Sequence, residues 1–118
     1  MRYQIMRLLI MFDLPVETSK QRKAYRQFRK NLVNEGFTMI QYSVYVRVCV
    51  NRKSAQFLEK KISNFLPETG IIQSLMLTEK QYNDMHFLLG KEKEDVRNYS
   101  GRTVILLFFH IWDIILLR

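Results

Sequence analysis

The feature that most restricts this chain is the alternation across residues 38–50. Ile40, Tyr42, Val44, Val46, Val48 and Val50 hold one parity, and Met39, Gln41, Ser43, Tyr45, Arg47 and Cys49 hold the other. A period of two is the signature of a strand, whose side chains point alternately to opposite faces. Thirteen residues is long for one strand, so a bend or bulge near Tyr42 and Ser43 is expected to divide it. Segments of helical spacing flank it. Upstream, Thr18-Ser19-Lys20-Gln21 forms a capping box: the Thr18 hydroxyl can accept an orphan amide while Gln21 reaches back. Behind that box, Ala24, Tyr25, Phe28 and Leu32 share one helical face, and Gly36 ends the helix. Downstream, Asn51 can cap a second helix with an inward face of Ala55, Leu58, Ile62, Phe65 and Leu66, terminated by Pro67 and Gly70.

Residues 5–12 are almost continuously apolar and stop at Asp13-Leu14-Pro15, which predicts a short strand buried on both faces. Residues 71–77 predict another strand. Thr78-Glu79-Lys80-Gln81 repeats the capping box and opens a short helix with Tyr82, Met85, His86 and Leu89 facing inward, closed by Gly90. Residues 91–102 are charged and read as a loop, and residues 104–109 as a last strand. The simplest solution is an α+β domain over residues 1–109: a split β-α-β arrangement with an antiparallel sheet and helices on one face. A strand buried on both sides needs a cover for the bare sheet face, and a twofold homodimer stacking sheet on sheet supplies it. Residues 110–118 form an apolar tail. Even the whole run 104–117 is shorter than the ~20 residues a bilayer-spanning helix needs, and His110 and Asp113 interrupt it. That tail is either a docking segment or non-native sequence.

At 118 residues the chain suits one domain, and 47% hydrophobic with 25% charged residues excludes wholesale disorder. Two prolines and four glycines exclude collagen-like and low-complexity chains. The net charge of +8 points to polyanions, nucleic acid first and an acidic membrane second. The charge concentrates on the first helix: Lys20, Arg22, Lys23, Arg26, Arg29 and Lys30, with no acid between residues 20 and 30. Arg22, Arg26, Arg29 and Lys30 lie opposite the apolar stripe. A helix that only needs solubility intersperses Glu for i, i+4 pairs, so this face fits phosphate-backbone binding better than a plain solvated surface. Its inward face lacks the Leu or Trp excess of a membrane-surface helix. The single cysteine, Cys49, cannot form an internal disulfide or a thiolate zinc site, which suits a reducing, cytoplasmic setting. The apolar run 8–12 behind Arg2 and Arg7 is too short for a signal peptide.

Asp13 ends a buried strand. On its own it is a turn initiator beside Leu14-Pro15. If a twofold axis brings two copies together, the paired carboxylates suit Mg²⁺, which keeps much of its hydration shell and can activate water or polarise a phosphoryl oxygen. There is no Ser-His-Asp or Cys-His arrangement, no glycine-rich phosphate loop and no RNA-recognition aromatic signature. His86 falls on an apolar helix face and reads as a core histidine.

Taken together, Met11-Phe12-Asp13-Leu14-Pro15, Arg22-Lys23-Ala24-Tyr25-Arg26, Glu35-Gly36-Phe37, Gln41-Tyr42-Ser43-Val44-Tyr45 and Thr78-Glu79-Lys80-Gln81-Tyr82 resemble the small CRISPR-associated Cas-two family of the spacer-acquisition machinery, with the nearest likeness to Cas-nine-type systems. The resemblance covers residues 5–108. It implies a ferredoxin-like fold and a homodimer with facing sheets, the last strand joining the partner's sheet and Phe12, Tyr45, Val104 and Leu106 at the interface. It implies that Asp13 is the metal-binding and catalytic aspartate, with Mg²⁺ as cofactor. It further implies a dimer that bridges integrase subunits and holds double-stranded protospacer DNA through Lys20, Arg22 and Lys23, with Lys91 and Lys93 as loop contacts. Some relatives are Mg²⁺-dependent nucleases, so an endonuclease is the alternative, and a ribonuclease toxin of similar fold is a third. This chain has Met39 and Ile40 where some nuclease-active relatives place an arginine, and Tyr45 where the family usually has Phe.

Overall fold

A computed structural model describes residues 4–91. The elements run β1 (Met6–Asp13), α1 (Ser19–Asn34), β2 (Thr38–Gln41), β3 (Val44–Cys49), α2 (Arg52–Ile62), a 3-10 turn (Ser63–Phe65), β4 (Ile71–Thr78) and α3 (Glu79–Asn83). The four strands form one sheet in the order β2-β3-β1-β4, with every neighbouring pair antiparallel. β1 and β2, linked through α1, are therefore parallel to each other with β3 inserted between them, which is the split β-α-β of a ferredoxin-like fold.

The local signals act where the sequence places them. Thr18 accepts from the Gln21 amide at 3.1 Å while Gln21 Oε1 accepts from the Thr18 amide at 3.0 Å. Thr78 and Gln81 repeat both bonds at α3, and Asn51 Oδ1 accepts from the Ser54 amide at 2.7 Å to cap α2. Each cap satisfies amides that the first helical turn leaves without an intrahelical partner. The long alternating segment is divided at the expected place, by a full hairpin rather than a bend. Gln41 pairs with Val44, leaving Tyr42 and Ser43 as a two-residue turn, with Ser43 at φ 63° and a register shift between Met39 and Gln41.

The core lies between the sheet and both long helices. Met6, Leu8, Ile10 and Phe12 of β1 are buried with Phe28 and Leu32 of α1, Tyr45 and Cys49 of β3, and Ala55, Leu58 and Ile62 of α2. Phe12 anchors an aromatic cluster, edge-on to Phe28 at 5.2 Å and stacked on Tyr45 at 5.7 Å. Phe12 and Tyr45 thus find their packing inside one chain, on the helix side, rather than facing a partner as the resemblance implied. The opposite sheet face carries the other parity: Leu9, Met11, Val44, Val46, Ile71 and Leu75, with Leu9 in register between Val46 and Leu75. Leu9 is buried there, whereas Ile71 and Leu75 are exposed.

α3 is shorter than its periodicity suggests. It ends at Asn83, and Met85, His86 and Leu89 are exposed instead of facing inward. Tyr82, which stays within α3, packs under the Arg7 guanidinium at 4.3 Å. The expected last strand at 104–109, Val104, Leu106, Lys93 and the boundary between residues 109 and 110 lie outside the described residues.

Candidate nucleic-acid interface and metal-binding aspartate

Two features converge at the carboxyl end of β1. Asp13 is the last residue of the strand and is exposed, and α1 begins six residues later with its basic face. The intervening turn is pinned from two sides. Arg22 Nη1 donates to the Val16 and Glu17 carbonyls at 3.1 and 2.9 Å, tying α1 back to the loop that precedes it. From the other side, Gly70 packs directly against the turn. A Cβ at Gly70 would stand 2.5 Å from Leu14 Cδ2 and 2.9 Å from the Asp13 carbonyl oxygen, and φ is +115°. Only glycine meets both demands. Gly70 therefore sets how Asp13 leaves the strand, a role the sequence shows only as a helix terminator.

The cations of α1 divide by environment. Lys20, Arg22, Lys23, Arg26 and Lys30 are exposed. Arg29 is half-buried and leans over the Tyr25 ring at 6.0 Å. Lys20 faces Glu68 at 3.5 Å with both side chains more than 80% exposed, a pair that adds little stability and leaves the lysine available. Lys23, Arg26 and Lys30 have no ion pair among the described residues. The first turn of α1 carries no acid. The result is an unneutralised cationic surface on a helix whose other face is locked into the core through Phe28, Leu32 and Val33. Such a surface can hold phosphates without reading bases. Lys91 is exposed at the end of the described chain.

No group of three or more His, Cys, Asp or Glu that could hold a metal ion is gathered among the described residues. A Mg²⁺ held by one or two carboxylates, with water and substrate phosphate completing the shell, remains compatible with an exposed Asp13. His86 is exposed, so it is not the satisfied core histidine its helical position suggested.

Two arrangements were missed from the sequence. Arg7 donates from Nε to Glu79 Oε1 at 2.7 Å and from Nη2 to Glu79 Oε2 at 3.3 Å, joining β1 to α3 across 72 positions. Arg47 and Phe57 border a cleft between α1, β3 and α2. Its sequence trace is the Lys53, Phe57, Lys61 spacing, which places an aromatic off the apolar stripe of α2.

Comparison with known proteins identifies the family. The profile of the family described as CRISPR associated protein Cas2 matches residues 6–85. A protein of Ligilactobacillus salivarius (strain UCC118) named CRISPR-associated endoribonuclease Cas2 is 73% identical over 101 residues, covering 86% of this chain and 100% of that protein. A protein of the same name from Lacticaseibacillus rhamnosus (strain ATCC 53103 / LMG 18243 / GG) is 60% identical over 101 residues, with the same coverage of 86% and 100%. A third, from Streptococcus mutans serotype c (strain ATCC 700610 / UA159), is 40% identical over 101 residues, 86% of this chain and 93% of that protein. With the family profile matching residues 6–85 and relatives 73% and 60% identical along their whole length, the chain belongs to the CRISPR-associated protein Cas2 family.

Proposed function

We propose that this chain acts in CRISPR spacer acquisition as a homodimeric adaptor, bridging integrase subunits and holding protospacer duplex DNA by its phosphates. The observation that carries the DNA-binding part is the α1 surface: exposed Lys23, Arg26 and Lys30 without ion pairs among the described residues, on a helix rigidly packed through its other face. Rigid placement matters because a duplex presents phosphates at fixed spacing, and a positioned array neutralises several at once. Support for self-association comes from apolar groups that this chain leaves at its surface. Ile71 and Leu75 are exposed on the sheet face away from the helices, and Leu88 and Leu89 beyond α3 are 98% and 95% exposed.

Asp13 supports a second reading, a Mg²⁺-dependent endonuclease, because the relatives carry the name endoribonuclease. Asp13 would hold the ion, with the partner copy's aspartate and water completing the shell. Bound there, Mg²⁺ supplies a Lewis acid for a phosphoryl oxygen. Gly70 and Arg22 fix the turn that presents the carboxylate.

The test separates the two readings. Lys23→Glu with Arg26→Glu is expected to weaken duplex binding and to reduce the slope of log K against log salt by about 2 per protomer. Arg22 stays unchanged because it anchors backbone. Asp13→Asn is expected to leave duplex binding and spacer integration with the partner integrase intact while removing any Mg²⁺-dependent cleavage. Unchanged duplex affinity in the double variant rejects the α1 interface, and loss of integration in a dimeric, DNA-binding Asp13→Asn protein promotes the enzyme reading.

A further inference from the structure

The cleft between the end of α1, β3 and α2 encloses about 500 Å³ and is bordered by Glu35, Arg47, Asn51, Lys53, Phe57 and Lys61. Three properties set it apart from an ordinary charged surface. Phe57 is 73% exposed, although the apolar stripe of α2 lies elsewhere, at Ala55, Leu58 and Ile62. Lys53 and Lys61 stand one helical turn to either side of it, about 6 Å away each by helix geometry. Arg47 is half-buried, yet its guanidinium makes no hydrogen bond or ion pair among the described residues. The single acid at the rim, Glu35, is already engaged by Lys61 at 3.0 Å. Glu59, the lone acid of α2, accepts from Ser74 on β4. Gly36 leaves the room Arg47 occupies, since a Cβ there would stand 3.3 Å from Arg47 Nε.

We infer that this cleft is a second nucleic-acid site, one that takes a single strand, with a base stacked on Phe57 and its flanking phosphates on Arg47, Lys53 and Lys61. A planar aromatic held clear of the surface and bracketed by cations is the arrangement that binds unpaired bases, since every base has a π-face and every nucleotide brings a phosphate. A duplex offers nothing to Phe57, because its bases are stacked inside. An acidic peptide would satisfy the cations, but it brings no planar base to stack on the exposed Phe57 ring. The inference shares with the preceding proposal only the premise that the chain binds nucleic acid.

Fluorescence anisotropy on the full chain at one salt concentration tests it, with labelled oligo(dT), a blunt duplex and a Glu-rich peptide as probes. Phe57→Ala is expected to raise the Kd for oligo(dT) at least about fivefold and to leave the duplex Kd unchanged, while Phe57→Trp retains oligo(dT) binding. Arg47→Ala is expected to lower the oligo(dT) salt slope by about 1. Thermal unfolding of each variant shows that it is folded; an exposed residue such as Phe57 is removed without a cavity. Phe57→Ala that holds oligo(dT) like the parent overturns the inference. So does peptide binding that depends on Phe57 when oligo(dT) binding does not, which would make the cleft a protein-docking site. A parent protein that holds oligo(dT) but ignores the duplex sinks the preceding proposal and leaves this one standing.

Discussion

The two faces of the sheet come from the same strands and behave differently. On the helix side, Met6, Leu8, Ile10 and Phe12 meet Phe28, Leu32, Leu58 and Ile62, and the packing is complete within the chain. On the other side, Leu9 is buried but Ile71 and Leu75 remain exposed. Neighbouring residues of β1 therefore do different work: Phe12 holds the fold together, and Asp13, one position on, stands exposed at the strand end. The contrast teaches that apolar character along β1 and β4 reports two separate demands. One is folding, met by α1 and α2. The other is cover for the second face, which the proposed dimer would meet.

Four changes test that contrast. Phe28→Ala removes the ring at the centre of the helix-side cluster, 1% exposed and edge-on to Phe12. It is expected to cost about 3–5 kcal/mol in denaturant unfolding. A cost near 1 kcal/mol would mean that the core is less dependent on the helix side than its burial indicates. Gly70→Ala forces a Cβ into Leu14 and the Asp13 carbonyl at positive φ, with an expected loss of about 2 kcal/mol. It should also weaken the Mg²⁺ binding proposed for Asp13 more than the proposed duplex binding, which separates the turn from the α1 surface.

Leu75→Glu acts on the opposite face. The side chain is exposed, so monomer stability should stay within about 0.5 kcal/mol. If the proposed dimer uses this face, light scattering should show it reduced to a monomer, and a variant that still dimerises would place the contact elsewhere. The smallest effect concerns Cys49, buried on the helix side, where burial pushes the thiol above its ordinary value of 9.0 and nearby Arg47 partly opposes that. A raised folded-state pKa means that the fold favours the protonated thiol. Its contribution is present below the unfolded-state value and is lost as pH rises through the folded-state value. Between about pH 8 and about pH 10, the parent should lose more stability than Cys49→Ala by a few tenths of a kcal/mol. Equal losses would show that the thiol is not protected in the core.

Much of the helix side was legible because its signals are local. The capping boxes at Thr18 and Thr78, the Asn51 cap and the alternation through residues 38–50 each depend on contacts within a few positions, and each element formed where its signal lay. The Asp13 turn and the basic face of α1 were legible for the same reason. The extent of α3 was not: Met85, His86 and Leu89 have helical spacing, but spacing gives a stripe no surface to cover. Nor does parity say which face of a strand the helices take: Phe12 and Tyr45, which the resemblance places at a dimer interface, belong to the core.

The amino-acid sequence by itself determined the order of strands and helices, the family, the strand-end aspartate and the acid-free basic helix. The elements and the basic face are properties of spacing and composition, carried by neighbours along the chain, and the family rests on the resemblance of its motifs. The tertiary structure decided which sheet face is packed, that Gly70 must lack a side chain beside Asp13, that Arg7 clamps Glu79, and that Arg47 opens into a cleft beside Phe57. Each of these pairs elements far apart in sequence. The reason is physical: hydrogen-bonded turns and caps are set by local geometry, whereas steric exclusion and charge pairing act between whichever groups the fold brings together.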